Sequence, residues 1–494
     1  MKRLASLLLC LTLAAAAQNE PYRPQVHFSP QKNWTNDPNG LVYFHGEYHL
    51  FFQYNPFGDQ WGHMSWGHAV SKDLLHWTEL PVAIPEQGNE MVFTGSVVID
   101  KRNTSGLCLA GKPCMVAVYT AHTKTPTGII QSQSLAYSNN DGRTWTRYPH
   151  NPVLDLHMSD FRDPSVTWDE RSHRWVMAVA LPLEHKVQFY GSPDLKTWTH
   201  LSDFGPAGVA TGQWECPGLV RVPAATGAAS LWALKIGINP GALQGGSGEQ
   251  YFLGDFDGTR FTPSTKPGAY GWTNYGKDDY CAIPFSHLPA NEKPTLIGWM
   301  SNWQYAGKLP TSPWHGQMSL PRRLSYLEGS NGLALQQQPV VAPLRAAHTA
   351  ISTSAEISRD TPFELRLRFD PAAPVFGIRL FSDAEHFAEI AFDRDKKEFY
   401  IDRTHSGGTA ISPDFPARTA TAIDTTRPYD LTVIVDRSSI EAFALDGTIA
   451  MTNLVFPATP RTTVRFFSTP DSKTNVKGDL WTLRSIWQPS PPKP

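Results

Sequence analysis

Two interleaved series of repeats constrain this chain more than any other feature. The first joins one strand to the next through a polar turn and an aromatic residue: HAVSKDLLHWTEL (68–80), LAYSNNDGRTWTRY (135–148), QFYGSPDLKTWTHL (188–201) and YFLGDFDGTRFTP (251–263). Each reads as a β-hairpin. The second starts in a polar or acidic turn and runs into an apolar strand: NDPNGLVYF from Asn36, FTGSVVI from Phe93, RDPSVTW from Arg162, ECPGLVRV from Glu215 and DDYCAIPF from Asp278. Measured from Asp37, Gly95, Asp163, Glu215 and Asp279, the starts lie 58, 68, 52 and 64 residues apart. Self-similarity at a period of this size marks a repeat architecture. Five units of about sixty residues, each with room for four strands, predict a five-bladed β-propeller.

The repeats finish near GQMSLPRRLSYL (316–327). Beyond LQQQPVVAPLRAAHTA (335–350) apolar and polar residues alternate, as in FELRLRF, FAEIAFD, YDLTVIVDRSSIEAFALDG and TTVRFFS. Such alternation marks strands with one buried face, and a succession of them predicts a β-sandwich. SSIEAFALDG reads as a strand entering a hairpin turn at Asp446-Gly447. The expected fold is all-β, a five-bladed β-propeller followed by a C-terminal β-sandwich. Its expected divisions are 18–335 for the propeller, 336–350 for a linker and 351–494 for the sandwich, with a loose tail QPSPPKP.

Residues 1–17 read as a secretory signal peptide. Lys2 and Arg3 precede an apolar stretch from Leu4 to Leu13, and Ala14 to Ala17 offer a small-residue cleavage site. The protein is therefore expected in a periplasm or outside the cell. There Cys108 and Cys114, flanking the turn LAGKP, can close a small disulfide. Cys216 and Cys281 lie in apolar or motif surroundings and are expected to stay free and buried. No CxxC or HExxH occurs, and His63 and His68 read as sugar-contacting or structural, so no metal or other cofactor is expected. A net charge of -2 argues against nucleic acid or an anionic membrane as partner.

A propeller gives the acidic starts a physical purpose. Blades pack radially and their first strands line one axis, so Asp37, Asp163 and Glu215 should converge on one funnel. Three carboxylates together are costly unless function uses them. Many of the 16 Trp sit beside Gly, Asn or His rather than in apolar runs, a setting suited to stacking on the C–H face of a sugar ring. Carboxylates in a Trp-rich funnel point to glycoside hydrolysis, which needs a carboxylate nucleophile and a carboxylic acid in a retaining enzyme. Glu215, between Trp214 and Cys216, fits the acid, because an apolar setting disfavours its anion. Asp37 fits the nucleophile, held ionised by polar turn neighbours. Asp163 should be held ionised by Arg162 and stabilise an oxocarbenium-like transition state. The DPNG stretch at 37–40 reads as a turn that aims Asp37, with Trp34 and Asn36 framing the sugar.

With these motifs in view, the chain resembles glycoside hydrolase family 32, the β-fructosidases that include invertases, inulinases and levanases. The likeness rests on WTNDPNG (34–40), FTGS (93–96), FRDP (161–164) and WECPG (214–218), supported by WGHAVSKDLLHW (66–77) and DRSSIEAFALDG (436–447). By resemblance Asp37 is the nucleophile, Asp163 the transition-state stabiliser and Glu215 the acid/base. Asn36, Gln53, Trp61, Phe93, Thr94 and Arg162 match positions that shape a pocket for a terminal fructose, and Trp299 or Trp303 adds a wall. Thr35 stands where many relatives carry Met, and Asn274 where many carry Asp. The implied activity is release of fructose from levan, inulin and sucrose. The nearest alternatives are an invertase restricted to short substrates and an endo-levanase. An inverting arabinan hydrolase or a silent glycan-binding propeller fits less well, given WECPG, the sandwich and three intact carboxylates.

Overall fold

The run RWVMAVAL, Arg174–Leu181, is buried from Trp175 onward with no alternation. A strand is apolar on both faces only when something packs on each side, and here the neighbours are other blades. The computed structural model describes residues 20–487 apart from 110, 265–268, 330–331, 353–356, 409, 460 and 471–473. The expected signal peptide and the tail QPSPPKP lie outside the described residues.

Five antiparallel sheets follow one another along the chain, and their first strands are Asn33–Phe44, Glu90–Asp100, Arg162–Asp169, Gln213–Pro223 and Tyr280–Pro284. Each first strand packs against that of the neighbouring sheet, and the last returns to the first, so the five enclose an axis. The ring is also closed by Trp314–His315, which pairs in parallel with Asn33 and Trp34. The four hairpins of the first repeat series join the third and fourth strands of the first four blades. Three of the four turns are built alike. Asp73, Asp194 and Asp257 each accept two backbone N–H groups from residues two and three further on, the Asx-type bond that makes these residues turn formers.

The remainder is a sandwich of two six-stranded sheets. Phe363, Leu365, Leu367 and Phe369 point into its core while Arg366 and Arg368 are exposed, as the alternation requires. The strand Gly332–Pro339 belongs to the fifth blade and Arg345–Ser352 to the sandwich. The segment expected as a linker over 336–350 is thus largely strand, and the passage between the two stacks narrows to 340–344.

Buried polar groups fasten the sandwich to the propeller. Asn274 accepts the Thr452 N–H at 2.9 Å and donates to its hydroxyl at 2.8 Å. His27, ahead of the first blade, bridges Asp436 at 2.8 Å and Glu441 at 3.0 Å in the DRSSIE stretch. Burial alone would lower its pKa, but the two carboxylates outweigh that and raise it to about 9. Arg403 of the sandwich is fully buried against Asp278, at 2.6 Å, two residues before Tyr280. Arg403→Met strands the Asp278 charge. It is expected to cost about 3–5 kcal/mol in urea unfolding, of which adding Asp278→Asn recovers part.

Candidate active site

All five first strands carry a register irregularity near the same end. It falls between Thr35 and Pro38, Val92 and Gly95, Arg162 and Ser165, Glu215 and Gly218, and Tyr280 and Ile283. A bulge breaks the two-residue alternation and re-aims a side chain, which lets groups from different blades meet across the axis. Asp163, Cys216 and Cys281 take φ of +68°, +49° and +48° inside these bulges, left-handed conformations costing about 1–3 kcal/mol each for residues with a Cβ. The DPNG stretch is not a turn. It lies within the continuous strand Asn33–Phe44. Turn-forming residues serve a bulge equally well, because Pro forgoes a ladder bond and Gly accepts positive φ. Gly40 has φ +51°, and a Cβ there would sit 2.6 Å from Val97.

The bulges bring Asp37, Asp163 and Glu215 into one network. Asp37 Oδ2 accepts the Thr94 hydroxyl at 2.9 Å, whereas its Oδ1 is buried without a partner. Asp163 Oδ2 accepts the Cys216 N–H at 2.9 Å, and its own N–H donates to Thr120. Arg162 Nε donates to Glu215 Oε1 at 3.1 Å. The rest of that guanidinium is held by Asp160 at 2.9 Å, by Gln131 at 3.2 Å and by Gln213. Tyr280 donates its hydroxyl to Glu215 Oε2. The Glu215 side chain keeps 19% of its surface exposed, whereas Asp37 and Asp163 are buried. Glu215 therefore stands nearest the opening.

The aromatic residues fall into two groups. Trp34 donates its indole N–H to Asn36 Oδ1 at 2.8 Å and packs on Trp299 and Trp303, with centroids 6.1 and 6.0 Å away. Trp299 is fully buried, so Trp303, which is partly open, is the one of the pair that can form a wall. On the second blade Phe93 stacks on His122 at 4.2 Å and meets the half-exposed Trp61 edge-on at 6.2 Å. Gln53 donates to the Val92 carbonyl at 3.1 Å and so supports the backbone just ahead of Phe93 and Thr94. Thr35 donates its hydroxyl to the Gln53 carbonyl at 2.9 Å. His68 is buried against His49, which makes it structural, and His63 pairs with Glu86 at the surface.

Three features escaped sequence reasoning. The fifth acidic start, Asp279, is diverted into a buried pair with Arg322 at 2.6 Å, and the next residue, Tyr280, reaches the site instead. Gln131 of the QSQS stretch orients Arg162 from the second blade. Cys216 and Cys281 are not free but joined in a disulfide, as Cys108 and Cys114 also are. They are 65 residues apart in sequence, yet adjacent blades set their Cα atoms 5.4 Å apart, a separation that no sequence pattern announces. Asp37 and the two sulfurs lie within 4.8 Å of one another. Sulfurs bonded to each other offer no thiolates, so this trio is no metal site.

Electrostatics also differ from expectation. Sequence reasoning holds Asp37 and Asp163 ionised through polar neighbours, but enclosure wins. Burial raises Asp37 to about 6, with the charge of Glu215 adding and hydrogen bonding from Asn36 and Thr94 opposing. Asp163 is raised too, by burial first, against the pull of Arg162. Burial and then the charge of Glu215 lift Tyr280 well above the usual phenol range, so it stays a donor. For Arg162, burial disfavours the cation, but the carboxylates around it outweigh burial and keep it charged.

Comparison with known proteins places the chain among one group of relatives. The chain matches the Glycosyl hydrolases family 32 N-terminal domain over residues 27–339 and the Glycosyl hydrolases family 32 C terminal over residues 336–482. It is 39% identical to the extracellular exo-inulinase of Aspergillus awamori over 533 residues, covering 98% of this chain and 99% of that one. It is 38% identical to the levanase of Bacillus subtilis (strain 168) over 514 residues, covering 98% and 75% respectively. The crystal structure of the Aspergillus awamori exo-inulinase aligns with a TM-score of 0.88 at 37% identity, covering 95% of this chain and 99% of that one.

Proposed function

The chain belongs to glycosyl hydrolase family 32, and from that premise we propose that it is an exported, retaining β-fructosidase that releases terminal fructose from fructans and sucrose. Asp37 is the nucleophile, Glu215 the acid/base and Asp163 the stabiliser of the ring hydroxyls. The observation that carries this reading is the asymmetry of the carboxylates. Asp37 is enclosed, with one oxygen held by Thr94 and the other unengaged, whereas Glu215 reaches the opening between Arg162 and Tyr280. A poorly hydrated carboxylate can attack carbon, and a partly exposed carboxyl can meet a leaving group and later a water.

In the first step Glu215 gives its proton to the glycosidic oxygen while the Asp37 carboxylate attacks C2 of the fructosyl unit. The C2–O bond breaks and a fructosyl-aspartate forms. In the second step Glu215, now the base, takes a proton from water, whose oxygen attacks C2 and frees Asp37. Two displacements at one carbon retain its configuration. Thr94 and Arg162 order the carboxylates and Trp303 borders the ring, while Trp34, expected to frame the sugar, is fully buried and supports Asn36 and Trp303 from behind. Gln53 supports the Phe93 segment. Asp37 must be ionised to attack, so kcat/KM should fall as pH drops through about 6, which a pH series on sucrose measures.

A product time course from inulin, levan and sucrose tests the reading. Fructose as sole early product from the polymers is expected. Early oligosaccharides would make the enzyme endo-acting, sucrose cleavage alone would make it an invertase, and no product from any of the three would overturn the assignment. The name of one relative, an exo-inulinase, favours the exo-acting form.

A further inference from the structure

The disulfide between Cys216 and Cys281 touches the surroundings of every carboxylate in the site. Cys216 follows Glu215 directly, donates its N–H to Asp163 Oδ2 at 2.9 Å and sets its sulfur 3.8 Å from Asp37 Oδ2. Cys281 follows Tyr280, whose hydroxyl donates to Glu215. Both cysteines sit in the left-handed residue of a bulge, and both are buried. Glu215 belongs to the fourth blade and Tyr280 to the fifth, which are separate sheets. Their hydrogen bond therefore depends on how two blades are set against each other. Of the two disulfides among the described residues, Cys216–Cys281 alone joins two blades, since Cys108–Cys114 staples a loop to the second blade.

We propose that the Cys216–Cys281 cystine is a positioning group for the reaction, an inference that rests on the roles given above to Asp37 and Glu215. It locks two neighbouring bulges so that Tyr280 stays on Glu215 and the Cys216 N–H stays on Asp163. It also presents Asp37 with a sulfur that has no proton. A disulfide sulfur cannot donate, so the 3.8 Å approach is an apolar contact, and Thr94 supplies the side-chain hydrogen bond to Oδ2. A free thiol at Cys216 would be a weak donor there and would favour the Asp37 anion. The charged groups facing Asp37 are Glu215 and Asp163, with Arg162 held on Glu215. The cystine thus keeps the nucleophile desolvated and the acid aligned.

The test compares Cys281→Ala, which leaves a thiol at Cys216, with a Cys108→Ala/Cys114→Ala control that removes the other disulfide. Sucrose hydrolysis is followed across pH, well below the unfolding temperature of each protein. Wild-type turnover in the same assay checks the underlying reading, and only the change between variants checks this inference. Cys281→Ala should lose kcat by roughly tenfold or more, because small misplacements at a reacting centre are costly. KM should change little, and the acidic limb should move to lower pH. The control should unfold at lower temperature with kcat and pH profile unchanged.

Cys281→Ala with the wild-type kcat and pH profile would make the bond a staple and overturn the proposal. So would alkylation of Cys216 and Cys281 in unreduced, denatured wild-type protein. Should Cys281→Ala not fold, the wild type is opened with a water-soluble phosphine, which with one water gives two thiols and the phosphine oxide. Full opening, followed by alkylation, with kcat retained would overturn the proposal equally.

Discussion

Asp37→Asn is expected to lose turnover of sucrose and fructan by roughly 10⁴–10⁶-fold, the range seen when a covalent nucleophile is removed, while becoming more stable at neutral pH. The two effects share one cause. The folded protein raises the Asp37 carboxyl from 3.8 to about 6, first by burial and then by the charge of Glu215. The fold therefore binds the proton more tightly than the unfolded chain does. Its contribution to stability is fully present below pH 3.8 and is lost as pH rises through about 6. Above that pH the fold carries an ionised carboxylate that would be better hydrated outside. Asparagine has no such charge. At pH 8 the variant should gain on the order of 3 kcal/mol in urea unfolding, from two pKa units at about 1.4 kcal/mol each, and at pH 3.5 it should gain nothing. An equal gain at both pH values would assign the effect to packing instead of charge. Wild-type turnover in the variant would remove Asp37 from the chemistry altogether.

The same carboxylates show what the sequence makes legible and what it hides. Blade spacing is legible because each blade repeats the same two signals, an aromatic hairpin and an acidic start. The sandwich is legible because Phe363–Asp370 alternates in plain sight. The convergence of Asp37, Asp163 and Glu215 follows from that spacing alone. Their ionisation does not, since it depends on enclosure by side chains from other blades. Local neighbours such as Arg162 suggest the opposite direction for Asp163, and burial outweighs them. DPNG misleads for a related reason: residues that tolerate a turn also tolerate a bulge, and only pairing with Glu47–Tyr54 decides between them. Tyr280 and the Cys216–Cys281 bond are hidden because each depends on the contact between the fourth and fifth blades. Asp279 looked like the fifth acidic start, yet Arg322, 43 residues on, claims it.

Glu215→Gln separates the two halves of the mechanism. The amide keeps shape and can accept from Arg162 or Tyr280, but it can neither deliver a proton to the leaving oxygen nor take one from water. Loss of general acid–base help is worth roughly 10²–10⁴-fold, so sucrose turnover should fall by that amount. The size of the loss should depend on the leaving group. A fructoside of an acidic phenol departs without protonation, so its first step should survive and the fructosyl-Asp37 ester should accumulate, visible as a burst of phenol followed by slow release of fructose. Azide needs no base, so adding it should restore turnover on the phenol substrate and yield fructosyl azide of retained configuration. Asp37→Asn should show neither burst nor rescue, because no ester forms. A Glu215→Gln enzyme equally slow on sucrose and on the phenyl fructoside, with no response to azide, would mean that Glu215 holds the substrate and does not move the proton. In that event the acid would have to be sought among the other groups of the network. Tyr280 is a poor candidate, since burial and the charge of Glu215 hold its proton in place. Asp163, raised by burial against the pull of Arg162, would then be the next carboxyl to test by the same substrates.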